Sequence, residues 1–167
     1  MYDSKHLCWR NSLDNQKIDR KIAVIFATDV VGFSTAMETD EDQTLKNFRA
    51  CKNILDDLFK EHSGRVFNTA GDSVLAEFSS AVSAVICASE FQKLIQERNA
   101  STSLPENGKM EFRVGLNMGD VIVEGSNLYG DGVNVAARLE ALAQPNGVCL
   151  SKSIHDFVNK KTEFLFD

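Results

Sequence analysis

The sequence has no long apolar run, no surplus of positive charge and no paired cysteines, and each absence closes a class of function. Its four cysteines, Cys8, Cys51, Cys87 and Cys149, are scattered without C-x-x-C spacing and without a histidine at zinc-ligand distance. That excludes a metal knuckle and a disulfide framework. Cys51 and Cys87 fall on apolar helix faces and read as small core residues. A net charge of −6 argues against nucleic acid as a partner, because such proteins need a basic stripe to displace counterions from phosphates. A metal-bridged anion remains allowed, since the divalent ion is the largest local charge in such a site. No apolar stretch reaches the roughly 20 residues that span a bilayer, so no membrane partner is expected within this chain. The first twenty residues are polar and mixed in charge, and cytoplasm is the expected compartment.

What is present is ordinary for one globular domain: 167 residues, 43% apolar and 25% charged. Residues 1–20 have no clean period and read as a leader, or as a linker from an upstream regulatory module. The domain is expected over residues 21–167. Residues 22–27 are a short, β-branched apolar run that suits a strand buried on both faces. Between residues 40 and 62, Leu45, Phe48, Cys51, Leu55 and Leu58 recur at helical spacing. Residues 65–69 and 74–78 form a hairpin around the turn at Gly71 and Asp72. Ala81, Ala84, Val85, Ala88, Phe91 and Ile95 mark a second helix, and a polar loop with Pro105 and Gly108 follows it. The spacing then predicts a second strand pair, 112–116 and 121–123, turning over Asn117, Met118, Gly119 and Asp120. A glycine-punctuated loop from 125 to 132, a helix over 133–142, a late strand at 147–150, a short helix over 151–159 capped by Ser151 or Ser153, and a strand at 163–166 complete the pattern.

The order β, α, β, β, α, β predicts an α+β fold, a ferredoxin-like or palm-type βαββαβ antiparallel sheet with its helices on one face. In that plan the top of the first strand meets the tip of the hairpin, so Asp29 and Asp72 converge. Two such carboxylates suit two divalent ions that clamp the attacking and leaving oxygens of a phosphoryl displacement. Hard oxygen ligands select magnesium or manganese. Asp29 is followed by Val30, Val31, Gly32, Phe33 and Ser34, where the glycine lets backbone N–H groups approach an anion at a helix start. No Walker-type lysine follows it. Taken singly, Asp29 reads as a strand-end cap and Asp72 as a turn residue; the pairing is what carries the chemistry.

Four blocks extend this reading: FATDVVGFS at 26–34, GDSVLAEF at 71–78, RVGLNMGD at 113–120 and YGDGVNVAARLE at 129–140. Together they resemble the class III adenylate/guanylate cyclases, in order and with compatible spacing over residues 20–167, the last block being the most specific. The resemblance implies the class III nucleotidyl cyclase fold, a nucleoside triphosphate substrate and two Mg²⁺ or Mn²⁺ ions per site, held by Asp29, Asp72 and the carbonyl of Val30. It implies a phosphate cradle of backbone at Gly32, Phe33 and Ser34, with Asn134 orienting the ribose and Arg138 neutralising the α-phosphate. The four-residue spacing puts Asn134 and Arg138 on one helix face. It further implies a head-to-tail homodimer with shared sites, yielding a cyclic 3′,5′-nucleotide and pyrophosphate for intracellular signalling.

The sequence departs from the family pattern in two places. Adenine-using members place Lys at the position of Asn68 and Asp or Thr at that of Asn127. An amide both donates and accepts, so this base-specifying pair does not separate adenine from guanine by itself; ATP is expected over GTP because guanine-users tend to carry Glu where Asn68 stands. The family's phosphate-binding lysine on a later strand lies beyond Asp167, which leads to the expectation of a truncated C-terminal part. Both departures motivate an alternative, a weak or inactive nucleotide-binding and dimerising module. A palm of the diguanylate-cyclase or polymerase type calls for an acid after the hairpin aspartate, where this chain has Ser73.

Overall fold

The computed structural model describes residues 18–161; most of the expected leader, Cys8 and the expected strand at 163–166 lie outside them. Strands β1 (Asp19–Val30), β2 (Arg65–Ala70), β3 (Ser73–Phe78), β4 (Phe112–Glu124) and β5 (Asn127–Tyr129) form a sheet in the order β2-β3-β1-β4-β5, and β6 (Val148–Leu150) pairs with β4. Every pairing is antiparallel except β4 with β6. The helices are α1 (Phe33–Thr39), α2 (Glu41–Glu61), α3 (Ala81–Asn99), α4 (Asp131–Leu142) and α5 (Lys152–Val158).

The palm-type antiparallel plan expected from the sequence is therefore present, with a correction to where the helices lie. Along β1 successive side chains alternate between faces. Val24, Phe26 and Val30 join a core built with α2, α3 and α5. Ala23, Ile25 and Ala27 join a second core with Val133 and Ala136 of α4. Helices thus cover both faces, as an apolar strand without polar alternation requires.

In the larger core the ring of Phe26 meets Phe59 edge-on at 5.2 Å and Phe78 at 6.0 Å. Fully buried rings of this kind contribute about 1.5–3 kcal/mol each through burial. Cys51 and Cys87 lie in the same core, completely buried, and burial pushes the Cys87 thiol up to about 12. Asp40 caps α2 by accepting from the Gln43 N–H at 3.0 Å, and Glu41 and Asp42 in its first turn complement the helix dipole. Ser151 caps α5, accepting from the Ile154 N–H.

The expected strand pair at 112–116 and 121–123 is corrected to one continuous strand of 13 residues, β4, in which Asn117, Met118 and Gly119 pair with Ile25, Val24 and Ala23. Gly119, which reads as a turn former, lies within the strand, and Gly115 serves close packing. A Cβ on Gly115 would stand 2.3 Å from both the Ala136 carbonyl oxygen and the Glu140 nitrogen, so α4 rests directly on the β4 backbone. Asn117, buried beneath it, donates to the Gly132 carbonyl at 3.0 Å and fixes the first turn of α4.

Candidate active site

Period-2 alternation continues past the apolar part of β1 and places Asp29 on the α4 face. Its cross-strand partner there is Arg113. The two form a forked ion pair, Nε to Oδ1 at 3.2 Å and Nη2 to Oδ2 at 2.9 Å. Arg113 also reaches α4, its Nη1 donating to the Ala141 carbonyl at 3.3 Å and its Nε lying 3.4 Å from Oε1 of Glu140.

Asp72 arrives from the β2–β3 turn, where Gly71 takes a left-handed φ of 59°. Its Oδ2 accepts the Val30 N–H at 2.9 Å. The end of β1 and the hairpin tip therefore meet as the topology predicts, and Asp72 touches the residue adjacent to Asp29. The chain then turns at Gly32, φ 68°, into α1, which has no side-chain cap. The Phe33 ring anchors this start against Phe48 at 5.5 Å.

Asp29 and Glu140 thus flank a single guanidinium, which also feels the charge of Asp72. Burial, then the hydrogen bond to Asp29 and the charge of that group, push the Glu140 carboxyl up to about 8. The hydrogen bonds and charge of Asp29 raise Arg113 above its ordinary value. Glu140 accordingly carries a proton in the folded state that the unfolded chain, titrating near 4.5, gives up. Stability from this group is present below about pH 4.5 and falls as the pH rises towards 8. In chelator, Glu140→Gln should flatten the pH dependence of the urea midpoint across that window. An unaltered slope would refute the buried proton.

Asn134 and Arg138 lie exposed on α4, while Val133, Ala136 and Glu140 are buried. At 100° per residue, Arg138 projects about 200° from Glu140, away from its own chain's aspartates. The Arg138 side chain has no hydrogen-bond or ion-pair partner among the described residues. Asn68 sits exposed on β2 beside a register shift. Asn127, on β5, accepts the Leu128 N–H at 2.8 Å and donates to the Tyr129 hydroxyl at 3.0 Å. The two edge strands approach each other where Arg65 donates to the Ser126 carbonyl at 2.7 Å.

Arg113 and Glu140 were not among the residues singled out in the sequence. Reading 112–124 as two strands hid the register that sets Arg113 opposite Asp29. The signal for Glu140 was legible: it follows Val133 and Ala136 at helical spacing, which sets an acid in the buried stripe of α4. Among the described residues the tight cluster of metal-ligating types is Glu61, His62 and Glu90, at the junction of α2 and α3, where His62 and Glu90 already bond at 2.7 Å.

The family described as "Adenylate and Guanylate cyclase catalytic domain" matches residues 14–167. A Rhizobium meliloti (strain 1021) protein named "Putative adenylate cyclase 3" is 48% identical over 152 residues, 90% of this chain and 26% of its own length. An adenylate cyclase of Streptomyces coelicolor is 32% identical over 136 residues, 81% of this chain and 33% of its own. The chain thus spans about a quarter to a third of these relatives. The crystal structure of an adenylate/guanylate cyclase/hydrolase from Silicibacter pomeroyi superposes with a TM-score of 0.82 at 33% identity, covering 89% of this chain and 86% of that one. With the match running through both aspartate segments and α4, the chain belongs to the adenylate and guanylate cyclase catalytic domain family, a family of phosphorus–oxygen lyases.

Proposed function

We propose that this domain converts a nucleoside triphosphate, ATP in preference to GTP, into a cyclic 3′,5′-nucleotide and pyrophosphate, at sites shared between two copies of the chain. The observation that carries the reading is the contact of Asp72 with the Val30 N–H, one residue from Asp29, beside an uncapped helix start. The donor set fits a divalent cation: hard oxygens of Asp29, Asp72 and the Val30 carbonyl, with more carboxylate than Arg113 alone offsets. Two Mg²⁺ or Mn²⁺ ions there would acidify the ribose 3′-hydroxyl and offset charge on the leaving pyrophosphate.

The chain's own groups do the rest. Backbone at Gly32, Phe33 and Ser34 offers N–H donors to the phosphates. Asn134 orients the ribose through its carboxamide, and Arg138 brings its fork to the α-phosphate, where charge builds as the 3′-oxygen bonds to phosphorus and the bond to pyrophosphate breaks. Because Arg138 points away from its own aspartates, it serves the site of a partner copy. The adenine preference draws on the relatives named adenylate cyclase, at 48% and 32% identity; Asn68 and Asn127 line the base position from the two edge strands.

Purified protein with Mn²⁺ and either ATP or GTP tests this. The expected result is a cyclic mononucleotide and pyrophosphate in equal amounts, faster from ATP. Binding of nucleotide without cyclic product from either would replace the enzyme by the dimerising module, and a cyclic dinucleotide would point to the other palm chemistry.

A further inference from the structure

Helix α4 carries two sets of polar groups on opposite sides. Asn134 and Arg138 face outward. On the inner side, the Ala141 carbonyl accepts from Arg113, whose fork grips Asp29 and whose Nε lies 3.4 Å from Oε1 of Glu140. This strut joins a metal-ligand candidate of one site to the helix that serves the other. Nothing soft lies between its parts, since Gly115 lets the helix backbone touch β4 and Asn117 pins its first turn.

We infer that Arg113 is a positioning residue which, through its bonds to Asp29 and to the Ala141 carbonyl, makes the stance of α4 depend on what occupies Asp29, so that cation loading at one site is felt by Asn134 and Arg138 at the other. The inference rests on the shared-site reading above. A cation that takes the oxygens of Asp29 has to share them with Arg113 or displace it. Either outcome weakens a contact that also secures the last turns of α4. The first turn, held separately by Asn117, stays in place. Loading therefore loosens the end of the helix near Arg138 and leaves its start anchored, a change of pitch rather than of fold.

Hydrogen exchange of the dimer, with Mn²⁺ added and no nucleotide present, reads this directly. In the wild-type chain, Mn²⁺ should speed exchange of the amides of residues 138–142 by about three- to tenfold, and change that of Phe33 and Ser34 beside the aspartates. In Arg113→Lys, which keeps the charge but loses the fork, residues 138–142 should exchange fast from the outset and not respond to Mn²⁺, while Phe33 and Ser34 still do. A residue that merely stabilised the helix would leave the Mn²⁺ response at 138–142 intact. Arg113→Gln, which loses both the charge and the fork, should behave like Arg113→Lys and serves if that variant does not fold. A Mn²⁺ response at Phe33 and Ser34 without one at 138–142 in the wild type overturns the coupling alone. No response at either place overturns the cation site, and the coupling with it.

Discussion

Asp72→Ala should reduce cyclic-nucleotide formation by about three orders of magnitude or more, the equivalent of roughly 4 kcal/mol in the barrier, and abolish Mn²⁺ binding, while the chain stays folded. The asymmetry follows from what the side chain does. Its hydrogen bond within the fold is to the Val30 N–H, at 2.9 Å. Losing a single bond of that kind costs about 1 kcal/mol. The turn itself is set by the left-handed Gly71 and by the pairing of Ala70 with Ser73, neither of which needs the carboxylate. The carboxylate is instead placed where it adds to the negative potential around Asp29. Product formation, Mn²⁺ binding by electron paramagnetic resonance and a thermal melt by circular dichroism, run on one preparation, separate the effects. Activity within tenfold of wild type would remove Asp72 from the chemistry. Loss of activity together with loss of the fold would make it a structural residue.

Much of this site was legible before any coordinates. The apolar run at 22–27 located β1, Gly71 located the hairpin tip, and connection rules alone brought Asp29 and Asp72 to the same end of the sheet. The same run also held information that was read incompletely. A strand without polar alternation needs cover on both faces, and Ala23, Ile25 and Ala27 receive theirs from α4. The reading of Gly119 went astray for a physical reason. Glycine marks a turn and a close backbone approach equally well, and a local pattern does not distinguish the two. The distinction lay further on, where Gly132 of α4 stands 3.5 Å from the place a Cβ on Gly119 would take. Arg113 became visible only once β4 was one strand. Its partnership with Asp29 is a matter of register, and register is a long-range property.

The second large effect concerns Arg138. Arg138→Ala should lower kcat by about a hundred- to a thousandfold with little change in KM, because the α-phosphate gains its extra charge only as the reaction proceeds. Stability should scarcely move, since the side chain is exposed and has no partner among the described residues. The decisive form of the experiment mixes this variant with Asp72→Ala. Each chain lacks what the other retains. In a hybrid dimer one site combines the aspartates of the Arg138→Ala chain with the arginine of the Asp72→Ala chain, and the other site has neither. Random exchange makes half of the dimers hybrid, so activity should return to about a quarter of the wild-type value. At a fixed total of the two chains the recovery should peak at an equal ratio and vanish on dilution below the dimer dissociation constant. Two inactive proteins that stay inactive together, despite forming mixed dimers by mass, would mean that Arg138 acts within its own chain or not at all. The outward projection of Arg138, on the side of α4 opposite Glu140, is the geometric reason to expect recovery.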